Sequence, residues 1–163
     1  LVDSAVRYAG DTNGLQRPGY FFMKRGDFLI GYCTDTAVVS ITGDLVDVFD
    51  ANLPVLNGAS LGVGESGLWR DVTSKLSDNQ PSVLHATHRL MWSRYENGSL
   101  KFMIKGPKAT PAVVRLFPYD MEPSNISAYD MDGGSVAVQV FDEGATFKLK
   151  FPNDPQGVIV VVE

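Results

Sequence analysis

Short apolar runs alternate with turn-forming residues along most of the chain. The runs are rich in Val, Ile, Phe and Tyr, and clusters of Gly, Pro, Asn and Asp separate them, a pattern typical of all-β proteins. Ten strands are predicted, at 20–25, 28–33, 37–42, 45–49, 83–95, 100–105, 113–117, 135–141, 146–151 and 158–162. Ten strands in 163 residues predict an antiparallel β-sandwich of the immunoglobulin-like or jelly-roll-like kind.

Three links between these runs have the composition of tight turns. The segments 25–27, 97–98 and 142–144 each contain a Gly, which adopts the positive φ of a hairpin turn without strain. Sequential antiparallel hairpins are therefore predicted around all three turns.

Two segments near the C-terminus indicate how deeply their strands are buried. Within 146–151, Phe147, Leu149 and Phe151 alternate with lysines, so one face is expected in the core and the other in water. In Val158–Val162 both faces are apolar, which predicts either a central strand or a strand whose outer side is covered by another part of the protein.

One segment has the period of a helix. Leu68, Val72 and Leu76 fall at positions i, i+4 and i+8, so a short helix is predicted within 65–76. A single short helix leaves the all-β class unchanged.

Composition and charge narrow the class of protein. The hydrophobic fraction of 44% and the charged fraction of 20% exclude disorder, collagen and coiled coil, and the length supports one domain over 1–163. Because 19 acidic residues outnumber 14 basic ones, the net charge is -5, and nucleic acid and membrane surfaces are predicted to be poor partners. The lone Cys33 lies in an apolar run, where a buried thiol is expected. Because the chain starts at Leu1 and not at Met, we expect either a processed product or a piece of a longer protein.

Motifs for catalysis and nucleotide binding are incomplete in this sequence. Gly62, Gly64 and Gly67 spell GxGxxG, but the flanking residues lack the βαβ pattern, so a glycine-rich loop is predicted. A GxSxG motif around Ser66 fails because Leu68 stands where the second Gly is required. Carboxylates are plentiful, yet no spacing indicates a converging pair, and no catalytic residue is assigned.

Metal ligands are sparse. His85 and His88 are three residues apart, so on a strand they point to opposite faces. Asp130 and Asp132 resemble the start of a calcium loop, but Phe141 stands where the closing Glu belongs. An acidic turn is the favoured interpretation. A structural calcium ion completed by distant residues remains the alternative, and no other cofactor is predicted.

The hairpin at 97–98 predicts which face carries Trp92. A two-residue type I′ turn places Trp92 opposite Met103 and Arg94 opposite Lys101, on the more polar face of the hairpin. Upstream, however, the apolar residues Leu84, Ala86 and Leu90 have the same parity as Trp92, which predicts that all of them face the core. The register from the turn and the register from this alternation therefore conflict.

Two interpretations resolve this conflict: a β-bulge lies between about Ala86 and Met91, or Trp92 is a surface aromatic beside basic side chains. An exposed indole amid hydrogen-bonding groups suits a sugar ring, whose C–H face stacks on the aromatic ring. The alternative is that Trp92 packs under a neighbouring domain or loop.

Ligand binding is accordingly predicted at a few aromatic and basic side chains. They are Trp92 with Arg94 and Lys101, then Trp69 in the glycine-rich loop, and Tyr119 and Tyr129 at the ends of the acidic segment 120–132. Each of the last three aromatics can equally cover the core.

Four segments, taken in order, carry a resemblance to a known kind of domain. They are GYFFMKRGDFLIGYCTD, ITGDLVDVFDANLPVL, GVGESGLWRDVTS and SLKFMIKGPKATPAVVRLF. The Arg25-Gly26 turn, the strand at 43–50 and the Gly106-Pro107 loop leading to Arg115 are similar to the C-terminal accessory β-sandwich of some bacterial glycoside hydrolases and related polysaccharide-active enzymes. These motifs are turns and strand ends, so the resemblance implies a context and no active site.

The expected function follows from this combination. We expect a noncatalytic accessory module of a secreted or periplasmic carbohydrate-active enzyme, which binds polysaccharide or oligosaccharide weakly or braces a catalytic domain upstream in the same chain. Two alternatives remain open at this point. One is a purely structural protein-interaction domain, and the other is a small hydrolase or lyase that uses loop carboxylates.

Overall fold

The computed structural model describes residues 19–34 and 39–163 of the chain. Within these residues the protein is nearly all β, as predicted, with thirteen strands and one short α-helix. The strands are β1 (Tyr20–Arg25), β2 (Phe28–Cys33), β3 (Val39–Asp47), β4 (Val55–Leu61), β5 (Ser66–Asp71), β6 (Ser82–Ala86), β7 (Arg89–Glu96), β8 (Ser99–Lys105), β9 (Pro111–Phe117), β10 (Ile126–Asp130), β11 (Gln139–Asp142), β12 (Phe147–Pro152) and β13 (Val158–Val162). The helix α1 is Thr73–Leu76, and Pro123–Asn125 form a 3-10 turn.

The strands form three antiparallel sheets. The front sheet has the order β10-β13-β8-β7, the middle sheet β11-β12-β9-β6, and the back sheet β1-β2-β5-β3-β4. The front and middle sheets enclose the largest cluster of buried apolar side chains, which confirms the predicted β-sandwich. A second, smaller cluster lies between the middle and back sheets, and a third lies on the other face of the back sheet.

Strand β9 belongs to both of the first two clusters. Its residues Ala112, Val114 and Leu116 face the front sheet, whereas Val113 packs with Val46 of the back sheet. Since both of its faces are covered, β9 is a nearly continuous run of apolar residues.

The predicted turns and the C-terminal alternation are confirmed. Asn97 and Gly98 both have positive φ, 52° and 77°, as a type I′ turn requires. The other two turns connect β1 to β2 and β11 to β12. Phe147, Leu149 and Phe151 all face the main core, and β13 is a central strand between β10 and β8.

The predicted helix within 65–76 is wrong for most of its length. Residues 66–71 form β5, which pairs with β2 and β3, and only Thr73–Leu76 are helical. Residues an even number apart also share one face of a strand, so the spacing of Leu68, Val72 and Leu76 does not distinguish a helix from a strand; Val72 and Leu76 both pack in the second cluster. Hydrogen bonds to two neighbouring strands outweigh the local preference.

Other strand bounds differ from the prediction. Strands β4, β5 and β10 were not predicted, and the run at 83–95 is divided into β6 and β7. The predicted strands at 37–42 and 45–49 are replaced by β3, a single strand with a bulge after Ile41. Residues 37 and 38 lie outside the described residues, as does Leu1.

Candidate functional site

Trp92 lies on β7, the edge strand of the front sheet, and faces away from the main core. It stands opposite Met103, and Arg94 stands opposite Lys101, so the register predicted from the hairpin turn is confirmed. The predicted bulge is also present: the register shifts between Leu90 and Trp92, which leaves Met91 as the extra residue. The bulge lets Leu90 pair with the core residue Ile104 while Trp92 lies on the opposite face. A bulge and a partly exposed Trp92, the two interpretations offered above, are therefore both present.

A row of apolar side chains crosses the front sheet at the level of Trp92. Directly paired residues of a ladder share a face, and the pairs Trp92–Met103, Met103–Ile159 and Ile159–Tyr129 are consecutive. Four adjacent strands therefore place Trp92 and Tyr129 about 14 Å apart on one surface. We call this surface the outer face. Trp92 is partly exposed there, and Tyr129 retains 41% of its exposure.

Two pairs of basic side chains border this row on the outer face. Arg94 and Lys101 lie on one side of Trp92, and Arg89 and Lys105 lie on the other. The Arg94 guanidinium carbon is 5.8 Å from the centre of the Trp92 ring, a cation–π distance. The outer face thus combines an aromatic surface with four cations.

A shallow cavity of about 330 Å³ lies beside Trp92 at the turn end of the hairpin. Arg94 and Lys101 line it together with Glu96 and Glu163. The site consists of side chains on rigid strands, and its chemistry is that of noncovalent binding: ring stacking, hydrogen bonds and charge.

The other predicted aromatics lie elsewhere. Trp69 is on the back sheet and is only 4% exposed, at the floor of a cavity of about 530 Å³ that Asp47 and Phe49 also line. Tyr119 is 48% exposed in the loop after β9, where its ring meets Phe117 edge-on. Of the six predicted ligand-binding residues, the fold therefore brings four to the outer face and separates Trp69 and Tyr119 from them.

Asp130 and Asp132 belong to a tight turn. One carboxylate oxygen of Asp130 accepts hydrogen bonds from the backbone N–H groups of Asp132, at 3.0 Å, and Gly134, at 2.7 Å. Across residues 19–34 and 39–163, no group of three or more His, Cys, Asp or Glu side chains has an arrangement suited to a metal ion. The acidic-turn interpretation accounts for the hydrogen bonds of Asp130.

Among the described residues, the titratable group with the largest pKa shift is His85, which lies between the middle and back sheets, away from the outer face. Burial, with the positive charges of Arg70 and Lys75, lowers the pKa of His85 to about 4. Its ring contacts Phe28 edge-on at 6.0 Å, and Arg70 Nη1 donates a hydrogen bond of 2.6 Å to the backbone oxygen of Leu84. These groups hold two sheets together.

Arg89 and Lys105 are not among the predicted ligand-binding residues. The hairpin register already predicts Lys105 on the face of Trp92, because it keeps the alternation of Lys101 and Met103 along β8. That register does not predict the face of Arg89, which depends on the position of the bulge at Met91.

No family model matches the chain, and neither does any curated protein or solved structure compared with it. In the described part of the chain, no helix is long and apolar enough to cross a bilayer.

Proposed function

We propose that the protein is a noncatalytic accessory module of a secreted or periplasmic carbohydrate-active enzyme, and that it binds polysaccharide on its outer face. The observation that carries the proposal is the row from Trp92 to Tyr129, an apolar surface with an aromatic ring at each end. The similarity of the turn motifs to accessory sandwiches of glycoside hydrolases supports the same function.

The physical argument rests on how sugars bind to proteins. The C–H face of a pyranose ring is apolar and packs on an aromatic ring, while its hydroxyl groups need hydrogen-bond partners around that ring. Trp92 offers the ring, and Arg94 and Lys101 offer donors beside it. A module of this kind raises the effective concentration of substrate near a linked catalytic domain.

The test is retention of the protein in native gels that contain single polysaccharides, run as a panel. Trp92→Ala is expected to abolish retention on the polysaccharide that the unchanged protein binds, without lowering the melting temperature. Tyr119→Ala removes an exposed tyrosine that lies away from the outer face and is expected to leave retention unchanged. Undiminished retention of Trp92→Ala, or no retention on any member of the panel, would contradict the proposal.

A second candidate function is the bracing of a neighbouring domain. Phe28, Ile30 and Tyr32 share one face of β2, and Met23 is paired with Ile30 on the same face. All four are between 37% and 42% exposed, so this edge of the back sheet presents an apolar surface. Its size and composition suit contact with another protein surface.

Bracing has its own test in the longer protein. If this surface contacts a linked domain, Ile30→Lys will lower the melting temperature of the longer protein and leave that of the present chain unchanged. Equal melting temperatures for the longer protein with and without the substitution would exclude this role.

A further inference from the structure

We infer that the outer face selects polysaccharides that carry negative charge, as uronic acids or sulfate esters, over neutral ones. This inference rests on the proposed glycan binding and names the class of ligand.

The first argument is the arrangement of the four cations. Arg94 and Lys101 form one cross-strand pair and Arg89 and Lys105 the other, with Trp92 between them on β7. Lys101 and Lys105 are four residues apart on β8, which is about 13 Å along the strand. A chain stacked on Trp92 therefore passes cations on both sides.

The second argument is the excess of positive charge on this one face. Among the described residues, eight Lys and Arg side chains form no ion pair with a carboxylate, and four of these eight, Arg89, Arg94, Lys101 and Lys105, share the outer face. They outnumber the two neighbouring carboxylates, Glu96 and Glu163, although the whole chain has a net charge of -5. An excess of positive charge on one face of an acidic protein is complementary to an anionic ligand.

Two carboxylates limit where the anion binds. Glu96 and Glu163 line the cavity at the turn end of the hairpin, beside Arg94 and Lys101. Negative groups of a ligand are therefore expected between Lys101 and Lys105, toward the bulge and away from the turn.

The spacing of charges favours a glycan over a nucleic acid. Duplex DNA carries one negative charge per about 1.7 Å of its axis, and proteins that bind it neutralise many phosphates. Here only two cation pairs, about 13 Å apart along the strands, flank the outer face. A glycan that lies across the strands on the apolar row packs its rings on that row and places charged groups at its two edges near the cation pairs.

The experiment compares probes that differ only in charge. Affinity is measured by gel retention and calorimetry for dextran against dextran sulfate, and for polygalacturonate against its fully methyl-esterified form. We expect the charged member of at least one pair to bind more tightly, and we expect its affinity to fall as salt rises from 50 to 200 mM. Comparing the two charged members distinguishes sulfate from carboxylate.

Two variants with the same change in net charge locate the effect. Lys101→Gln is expected to weaken binding of the charged probe about fivefold. Lys150→Gln, which removes an exposed lysine from the middle sheet, is expected to leave the affinity unchanged. Similar losses for both variants would overturn the inference, because the attraction would then be nonspecific.

The remaining outcomes separate the two proposals. Binding of neutral and charged probes with equal affinity, abolished by Trp92→Ala, overturns the inference and leaves the proposed glycan binding in place. If the protein binds none of these four probes and no polysaccharide of the wider panel, the proposed function itself is overturned. Binding of duplex DNA as tightly as the best charged polysaccharide also overturns the inference.

Discussion

The six-membered ring of Trp69 covers the backbone of Gly67, two residues earlier on β5. A Cβ atom at position 67 would overlap three atoms of that ring. Gly67 therefore provides the space in which the indole lies, and the indole in turn packs with Leu45 and Leu61 in the third cluster.

We predict that Gly67→Ala lowers the free energy of unfolding by about 2 kcal/mol, because the added methyl group displaces a buried ring. Urea unfolding followed by tryptophan fluorescence measures the loss. Ser66→Ala, at the neighbouring exposed position of the same strand, is the control and is expected to change stability by less than about 0.5 kcal/mol. Equal stability of Gly67→Ala and the unchanged protein would show that the ring moves at no cost.

A second prediction concerns Arg115, which is 1% exposed on β9. Its Nη1 atom donates a hydrogen bond of 2.7 Å to Glu143 Oε2, and its Nε and Nη2 atoms donate to the backbone oxygens of Leu53 and Asn52. Arg115→Met leaves these acceptors without their donor, so the free energy of unfolding is expected to fall by about 3–5 kcal/mol.

The control for Arg115 uses the other partner of the same carboxylate. Lys148 Nζ is 2.7 Å from Glu143 Oε1, and hydrogen bonds from Lys148 and then Arg115 hold the pKa of Glu143 below its ordinary 4.5. Lys148 is more exposed than Arg115, so Lys148→Gln is expected to cost less than about 1 kcal/mol. Similar losses for the two variants would mean that the backbone hydrogen bonds of Arg115 contribute little.

A third prediction concerns pH. The pKa of His85 is about 4 in the folded protein, below its ordinary 6.5, chiefly because of burial. Between these two values the unfolded chain binds a proton that the folded chain does not. The stabilisation is therefore complete above pH 6.5 and is lost as the pH falls toward 4; because the imidazole is only partly buried, the loss is expected to be about 1–2 kcal/mol.

Unfolding in urea at pH 7 and pH 4.5 measures this loss. His85→Gln is expected to reduce the difference between the two pH values, whereas His88→Gln, which removes the other histidine, is expected to preserve the contribution of His85. An unchanged difference in His85→Gln would assign the acid sensitivity to the carboxylates.

The hydrophobic pattern predicted the fold class and the main sandwich core, since alternation in 146–151 and the apolar run at β13 reflect burial directly. It missed β4 and β5 because their stability comes from neighbouring strands. Strand β4 contains Asn57, Gly58 and Ser60 among its seven residues, and its pairing with β3 outweighs that composition.

The sequence predicted the part of the candidate site in which a nearby turn fixes the pairing of the two strands. The type I′ turn at 97–98 sets the partners of Arg94 and Trp92 over the first few residues of the hairpin. Beyond the bulge at Met91 the register depends on a single extra residue, which composition does not reveal. Tyr129 falls outside the predicted strands because β10 is short and its ladder partner, β13, is distant in the sequence.

A fourth prediction follows from that bulge. Deleting Met91 leaves Leu90 opposite Ile104 and Trp92 opposite Met103, so the chain is expected to fold with Trp92 on the outer face. Deleting Ser93 places Trp92 opposite Phe102 instead, and is expected to move the indole from the outer face to the other side of the sheet. Fluorescence quenching by iodide, in a Trp69→Phe background, reports the exposure of Trp92 in each deletion.

Strand β9 contributes side chains to two clusters at once, and this makes the three sheets thermodynamically dependent on one another. If β9 unfolds, both the core of the sandwich and the cluster between the middle and back sheets lose buried side chains. The protein should therefore lose all three sheets in one cooperative transition. Far-ultraviolet circular dichroism and the fluorescence of Trp69 are expected to report the same midpoint, and an early transition at Trp69 alone would reveal a separately melting unit.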